Sequence, residues 1–422
     1  MAKITEYSKE QLEQLQKELL AKYDEYVKAG LKLDMSRGKP APSQLDLANG
    51  IFDALDSYTT KGGMDARNYG VLDGIPEMKE LFSEAFEIPA EQIIVGGNAS
   101  LNLMFDAVMR MMVFGTEGCT PWGHLDKVKF LCPSPGYDRH FGICERLGIE
   151  MITVPMTSEG PDMAMVEKLV AEDDSIKGIW CVPKFSNPEG ICYSDETVKR
   201  LAAMQTAAKD FRIFWDNAYG IHPIFEDVKV LNILDEAKAA GNPNRPLYFA
   251  STSKITFPGA GVSFVAASEE MIAEIKSIMT YQTIGHDKLN QLRHVKFFKD
   301  AQGLKDHMQK LAEAMKPKFE VVLSTLEREL GKTGLLSWRS PKGGYFVSVD
   351  TLEGCAKETV RLVKEAGVVM TGAGATYPYK NDPKDTNIRI APTYPTVDEL
   401  QLAMDIFCVC VKLAGIQKLL ED

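Results

Sequence analysis

Lys254 closes the run Phe-Ala-Ser-Thr-Ser-Lys at 249–254, where small hydroxyl side chains surround it and Gly and Pro follow. A lysine in such a place can lose its proton and attack an aldehyde, whereas most lysines are solvated surface charges. Asp216 lies in Phe-Trp-Asp-Asn-Ala-Tyr-Gly, 214–220, with Tyr219 three residues on. A carboxylate buried beside Trp215 is costly unless a cation or several donors pair with it. A protonated pyridine nitrogen would be one such partner; a helix N-cap would be another. Asn187 stands in Lys-Phe-Ser-Asn-Pro-Glu-Gly, 184–190, which reads equally as a plain turn built on Pro188 and Gly190. Gly-Gly-Asn-Ala-Ser, 96–100, could bring Asn98, Ala99 and Ser100 against an anion through free backbone N–H groups, or could simply turn the chain.

These clusters need rigid elements behind them. The apolar runs at 93–97, 127–135, 211–219 and 247–254 read as strands, with helical stretches between them such as 100–112. Alternation of this kind predicts an α/β unit with a mainly parallel sheet and flanking helices, in which ligands gather at the carboxyl ends of strands. After about residue 300 a long helical region, 301–330, leads into strand-like GGYFVSVD, GVVM and NIRIAP. That pattern predicts a smaller α+β domain closed by a helix from Asp398. Residues 8–29 form a charged amphipathic helix with Leu12, Leu15, Leu19 and Tyr23 on one stripe. The division expected is 1–45 as a helix and arm belonging to the small domain, 46–300 as the large domain, and 301–422 as the small C-terminal domain.

The 422 residues carry 48 Lys plus Arg against 59 Asp plus Glu, a formal charge of -11. An acidic chain without a long basic run is poorly suited to DNA or RNA, which are bound by neutralising phosphates. No secretory signal pattern opens the sequence, and no apolar run approaches the roughly 20 residues that span a bilayer. The eight cysteines are scattered, with Cys408 and Cys410 the only close pair. The expectation is a cytoplasmic protein with reduced thiols.

Taken in order, the phosphate-type turn, Asn-Pro, Asp-Asn-Ala-Tyr and Ser-Thr-Ser-Lys each fall at a strand end of one sheet. With NYGVLDGIPEMKE (68–80), CPSPGYDRH (132–140), PKGGYF (341–346) and NIRIAP (387–392), the set resembles the fold-type I pyridoxal-phosphate enzymes, in particular class I and II aminotransferases. The resemblance implies pyridoxal 5'-phosphate as cofactor, held by Lys254 as a Schiff base. It also implies that Asp216 keeps the pyridine nitrogen protonated, that Tyr219 and Asn187 donate to the ring's phenolic oxygen, and that Tyr137 stacks on the ring. Asn98, Ala99, Ser100 and Ser251 would hold the phosphate, and Tyr69 would reach the phosphate of a neighbouring subunit in a homodimer. Arg389 would grip the substrate's α-carboxylate, and Gly38 would lie in the loop beside it.

One departure stands out. Many of these enzymes place a phosphate-binding arginine shortly after the lysine, but here the segment runs Lys254-Ile-Thr-Phe-Pro-Gly-Ala-Gly261. The chain looks most like a divergent aspartate aminotransferase branch related to regulator-type aminotransferase domains, without their DNA-binding module. The expected reaction moves an amino group between an amino acid, aspartate first, and a 2-oxo acid, 2-oxoglutarate first. A lyase or decarboxylase on the same scaffold, and a catalytically silent sensor, are the rival readings. A distal carboxylate could meet Arg37, Lys39, Arg67 or Arg139, and Arg37 is the first choice because it adjoins Gly38.

Overall fold

A computed structural model describes residues 3–421; the first two residues of the 1–45 segment and the last of 301–422 lie outside it. The largest sheet has eight strands in the spatial order Ile93–Val95, Ser263–Ala266, Pro246–Ser251, Arg212–Asp216, Ile176–Cys181, Lys129–Ser134, Glu150–Thr157, Gly160–Pro161. The five strands from Pro246–Ser251 to Glu150–Thr157 are parallel neighbours, and Ser263–Ala266 runs antiparallel to both of its own. The fold is therefore α/β, as expected, with a mixed sheet.

Both faces of the sheet are covered, which is why its strands read as near-continuous apolar runs. Along Arg212–Asp216 the side chains alternate. Ile213 and Trp215 enter one core with Phe82, Tyr248 and Phe264, and Phe214 enters the other with Phe130, Trp180 and Phe249. The register places Asp216 level with Phe249 and Trp215 level with Cys181. The chemistry-bearing ends of these neighbouring strands thus share one edge of the sheet.

A third core joins the two chain ends. The helix Lys9–Lys28 starts at Ser8, whose Oγ accepts from Gln11 N at 3.3 Å while Gln11 Oε1 accepts from Ser8 N at 2.8 Å. It buries Leu12, Leu19 and Tyr23 in a core shared with the helix Val397–Glu421. The middle of that last helix, Ile406–Val411, is buried on every side, as a stretch enclosed by other elements must be. The antiparallel strands Leu336–Trp338, Val347–Thr351 and Asn387–Ile390 complete this unit. The helix Ala301–Leu330 serves two cores: Leu304, Met308 and Leu311 pack with the large sheet, while Met315, Phe319, Val322, Leu326 and Leu330 pack with the chain ends. Among the described residues, no helix is long and apolar enough to cross a membrane.

Candidate active site

Asp216 is the last residue of its strand and is only 2% exposed. Its Oδ2 lies 2.9 Å from His140 Nε2, while its buried Oδ1 has no hydrogen-bond partner among the described residues. His140 is held flat against Trp180, with ring centroids 4.4 Å apart and planes 9° apart. A buried carboxylate oxygen left in this state is costly unless a donor meets it. A protonated ring nitrogen supplies such a donor, so the arrangement fits a pyridine cofactor. Tyr137 meets the His140 ring edge-on at 4.9 Å, and burial, followed by the nearby Asp216 charge, pushes its phenol up to about 12.

Lys254 lies in a tight turn just past the strand Pro246–Ser251, and its Nζ is 4.9 Å from the Tyr219 ring centroid and 5.9 Å from that of Tyr345. Burial lowers its ammonium pKa, and the charge of Asp216 offsets part of that effect. Tyr219 is buried, which raises its phenol well above the ordinary range and keeps the hydroxyl a donor. The turn is fixed by side chains from other elements. Tyr345 donates to Lys254 O at 3.2 Å, and His307 Nε2 donates to Ile255 O at 2.7 Å.

The 96–100 turn lies beside this one. Ala99 starts the helix Ser100–Phe114 with no side-chain cap; the Asn102 N–H donates to Ala99 O at 3.2 Å, which leaves those of Ser100 and Leu101 to serve an anion. Ser251 Oγ donates to Ser253 Oγ at 3.0 Å, Ser253 Oγ donates to Asn98 O at 2.8 Å, and Asn98 Nδ2 donates to Pro258 O at 3.1 Å. This cradle suits a phosphate. The missing arginine also has a local reason: a Cβ on Gly261 would sit 3.0 Å from Asn98 O and 3.2 Å from Ser253 N. A side chain at that position would require the neighbouring turn to give by a few tenths of an ångström.

Arg389 is buried on the strand Asn387–Ile390. Its Nη1 donates to Asn187 Oδ1 at 3.2 Å and to Asp138 Oδ1 at 3.3 Å, and Nη2 donates to Thr371 Oγ1 at 3.1 Å. The guanidinium lies 4.7 Å from the Phe346 ring centroid. A planar fork oriented in this way can take a carboxylate two-pronged. Phe346 also explains Gly38, because a Cβ there would fall 2.5 Å from the ring.

The structure therefore gathers Lys254, Tyr219, Asp216 and Tyr137 into one cluster, joins Asn187 to Arg389, and sets Asn98, Ala99, Ser100 and Ser251 side by side. Two expected residues stand apart: Tyr69 is 82% exposed, and Arg37 is exposed on its loop. Of the other cations weighed for a distal carboxylate, Arg67 is paired with Asp65 at 2.6 Å and Lys39 lies 3.7 Å from the Tyr394 ring centroid, while Arg139 is exposed. The sequence reading missed His140, Ser253, Thr371 and Tyr345. A signal existed for His140, which follows Tyr137 by three residues at a helix start and so shares its face.

Residues 7–422 match the family model for aspartate amino-transferase. A putative aminotransferase of Mycolicibacterium smegmatis is 50% identical over 406 residues, 95% of each chain. The aspartate aminotransferase of Corynebacterium glutamicum is 43% identical over 416 residues, 98% of this chain and 96% of the other. An aspartate transaminase structure from that organism matches at TM-score 0.97 and 43% identity, covering 99% of both chains. A Thermus thermophilus α-aminoadipate aminotransferase, complexed with N-(5'-phosphopyridoxyl)-L-leucine, shares the fold at TM-score 0.74 and 20% identity, over 94% of this chain and 95% of that one. Matched along nearly all of its length in both sequence and fold, the chain belongs to the aspartate aminotransferase family.

Proposed function

We propose that the protein is a pyridoxal 5'-phosphate-dependent aminotransferase exchanging the amino group of an L-amino acid, aspartate foremost, with a 2-oxo acid, 2-oxoglutarate foremost. The observation that carries this reading is Asp216. One of its oxygens is held by His140 and the other is buried without a partner among the described residues, in the same cluster as a lysine whose charge burial disfavours. When bound, the cofactor supplies the electron sink and the carrier for the amino group.

The chain's own residues do the rest. Asp216 holds a proton on the ring nitrogen, with His140 fixing the carboxylate. Lys254 Nζ would hold the cofactor, and as a neutral amine it would move the proton at the substrate's Cα. A lysine with a lowered pKa has the neutral amine that this step needs. Tyr219 and Asn187 donate to the ring's phenolic oxygen, and Tyr137 covers the ring face. Asn98, Ala99, Ser100 and Ser251 hold the phosphate, and Arg389 holds the α-carboxylate. Arg37 is the proposed cation for the distal carboxylate.

On the same reading the enzyme is a cytoplasmic homodimer, with Tyr69 of each subunit serving its neighbour's phosphate site. In such a reducing compartment its eight cysteines would be kept as thiols. Residues 46–300 form the cofactor-binding domain, and 1–45 join 301–422 in the smaller one.

The test is a screen of amino donors against 2-oxoglutarate. Wild type should transfer from aspartate, and Lys254→Ala should neither turn over nor show the colour of lysine-bound cofactor. Arg37→Ala should lose roughly 2 to 4 kcal/mol in kcat/KM for aspartate, and much less for alanine. Breakdown of donors without transfer would mean a lyase, and a wild type preferring neutral donors would remove the aspartate reading alone.

A further inference from the structure

Tyr345 and Phe346 are adjacent, just before the strand Val347–Thr351, and both rings pack against Tyr219, with centroids 6.0 and 6.4 Å away. Each braces one of the two cations proposed above. The Phe346 ring lies under the Arg389 guanidinium, and the Tyr345 hydroxyl donates to the main-chain carbonyl of Lys254 at 3.2 Å. The hydroxyl has a second partner, accepting from Gln44 Nε2 at 3.3 Å. Gln44 is 1% exposed, and its Oε1 accepts from Ala41 N at 2.9 Å, which fixes the amide's orientation. A phenol that accepts from an amide and donates to a carbonyl is fully used. Burial raises its pKa, so it remains a donor throughout the working range.

Gln44 belongs to the arm that carries Arg37 and Gly38, and the arm's other end reaches Arg389. Thr371 Oγ1 donates to Ser36 O while accepting from Arg389 Nη2, and Gly38 packs on Phe346. Thr393 Oγ1 donates to Lys39 O at 3.0 Å midway along. The arm is thus fastened at one end to the arginine and at the other, through Tyr345, to the lysine.

We propose that Tyr345 is a positioning residue for Lys254, and that Gln44 links it to the 36–44 arm so that seating the arm against Arg389 and placing the lysine are one event. The inference rests on Lys254 being the cofactor-binding lysine. A carbonyl without its donor lets the turn, and the amine it carries, drift. Misplacing a reacting group by about 1 Å can cost about a hundredfold in rate.

The test uses the holoenzyme and three variants: Tyr345→Phe, Gln44→Leu and the double variant. Tyr345→Phe keeps the ring against Tyr219 and removes only the hydroxyl. It should lower kcat about tenfold or more with little change in KM. It should also raise the pH midpoint of the bound cofactor's visible absorbance by about half a unit or more, because the nitrogen joining Lys254 to the cofactor is then less desolvated. Gln44→Leu should move both readouts in the same direction by less, and the double variant should be no worse than Tyr345→Phe alone, since one pathway is being cut twice. A Tyr345→Phe protein with wild-type titration and kcat overturns the proposal, and so does a double variant whose losses multiply. A wild type without cofactor colour would instead overturn the Lys254 assignment.

Discussion

Asp216 and His140 make a two-residue device in which the imidazole holds one carboxylate oxygen so that the other stays aimed. An amide in place of the carboxylate would keep the shape and lose the charge that favours a protonated ring nitrogen. Asp216→Asn should therefore retain the cofactor while kcat falls by about a hundredfold or more, as when a transition-state donor is removed. Near-normal turnover would make Asp216 a structural residue. At this scale the sequence was readable where a residue's type was itself unusual: a lysine among small hydroxyls, a carboxylate beside tryptophan. It was unreadable where meaning came from a distant partner. Thr371 is one threonine among many until Arg389 and Ser36 are found on either side of its hydroxyl. Tyr345 lay inside a quoted motif without a role, because the carbonyl it holds is 91 residues away.

Elements matter here chiefly for what they hold still. The helix Lys288–Phe298 braces the lysine turn through His294, whose Nδ1–H donates to Asn290 O at 2.8 Å and whose Nε2 accepts from Thr256 Oγ1 at 2.9 Å. Burial depresses this imidazole to about 4, so the native chain keeps it neutral where the unfolded chain, near 6.5, would bind a proton. Its contribution is complete above about pH 6.5 and is lost as pH falls toward 4, about 3 kcal/mol across that window. His294→Gln should accordingly lose less Tm than wild type between pH 7.5 and 5.5. Equal losses in the two proteins would show that this imidazole is not the sensitive group. The helices Lys9–Lys28, Ser100–Phe114, Ala301–Leu330 and Val397–Glu421 and several of the parallel strands were legible to within a few residues, whereas helices such as Asp195–Ala203 and Glu269–Met279 were not placed. The antiparallel strand Ser263–Ala266 was not, because a serine and three apolar residues after a Pro-Gly loop carry no period. The order of strands in the sheet was not legible either, since pairing depends on partners far along the chain.

Across the whole molecule, large apolar side chains stand out from the surface near the site's sequence neighbours: Tyr69 at 82% exposure, Tyr281 at 91% and Ile284 at 59%. Exposed groups of this kind mark interaction sites more often than bare surface. Sedimentation equilibrium should therefore find a species of about twice the 46.8 kDa chain mass. A fully active monomer would refute the shared site. The core that joins the two chain ends also bears on how the protein is made. The helix Lys9–Lys28 is translated well before its partner Val397–Glu421, so its apolar stripe waits while the several hundred residues between them are read. The large sheet, whose strands lie between residues 93 and 266, can form during that wait. The arm at 36–44 cannot seat until Arg389 has been made. A ribosome that stalls before the strand Asn387–Ile390 therefore leaves the large sheet without Arg389, and on the proposed reading such a chain has neither a grip for a substrate nor a seated arm to steady the lysine.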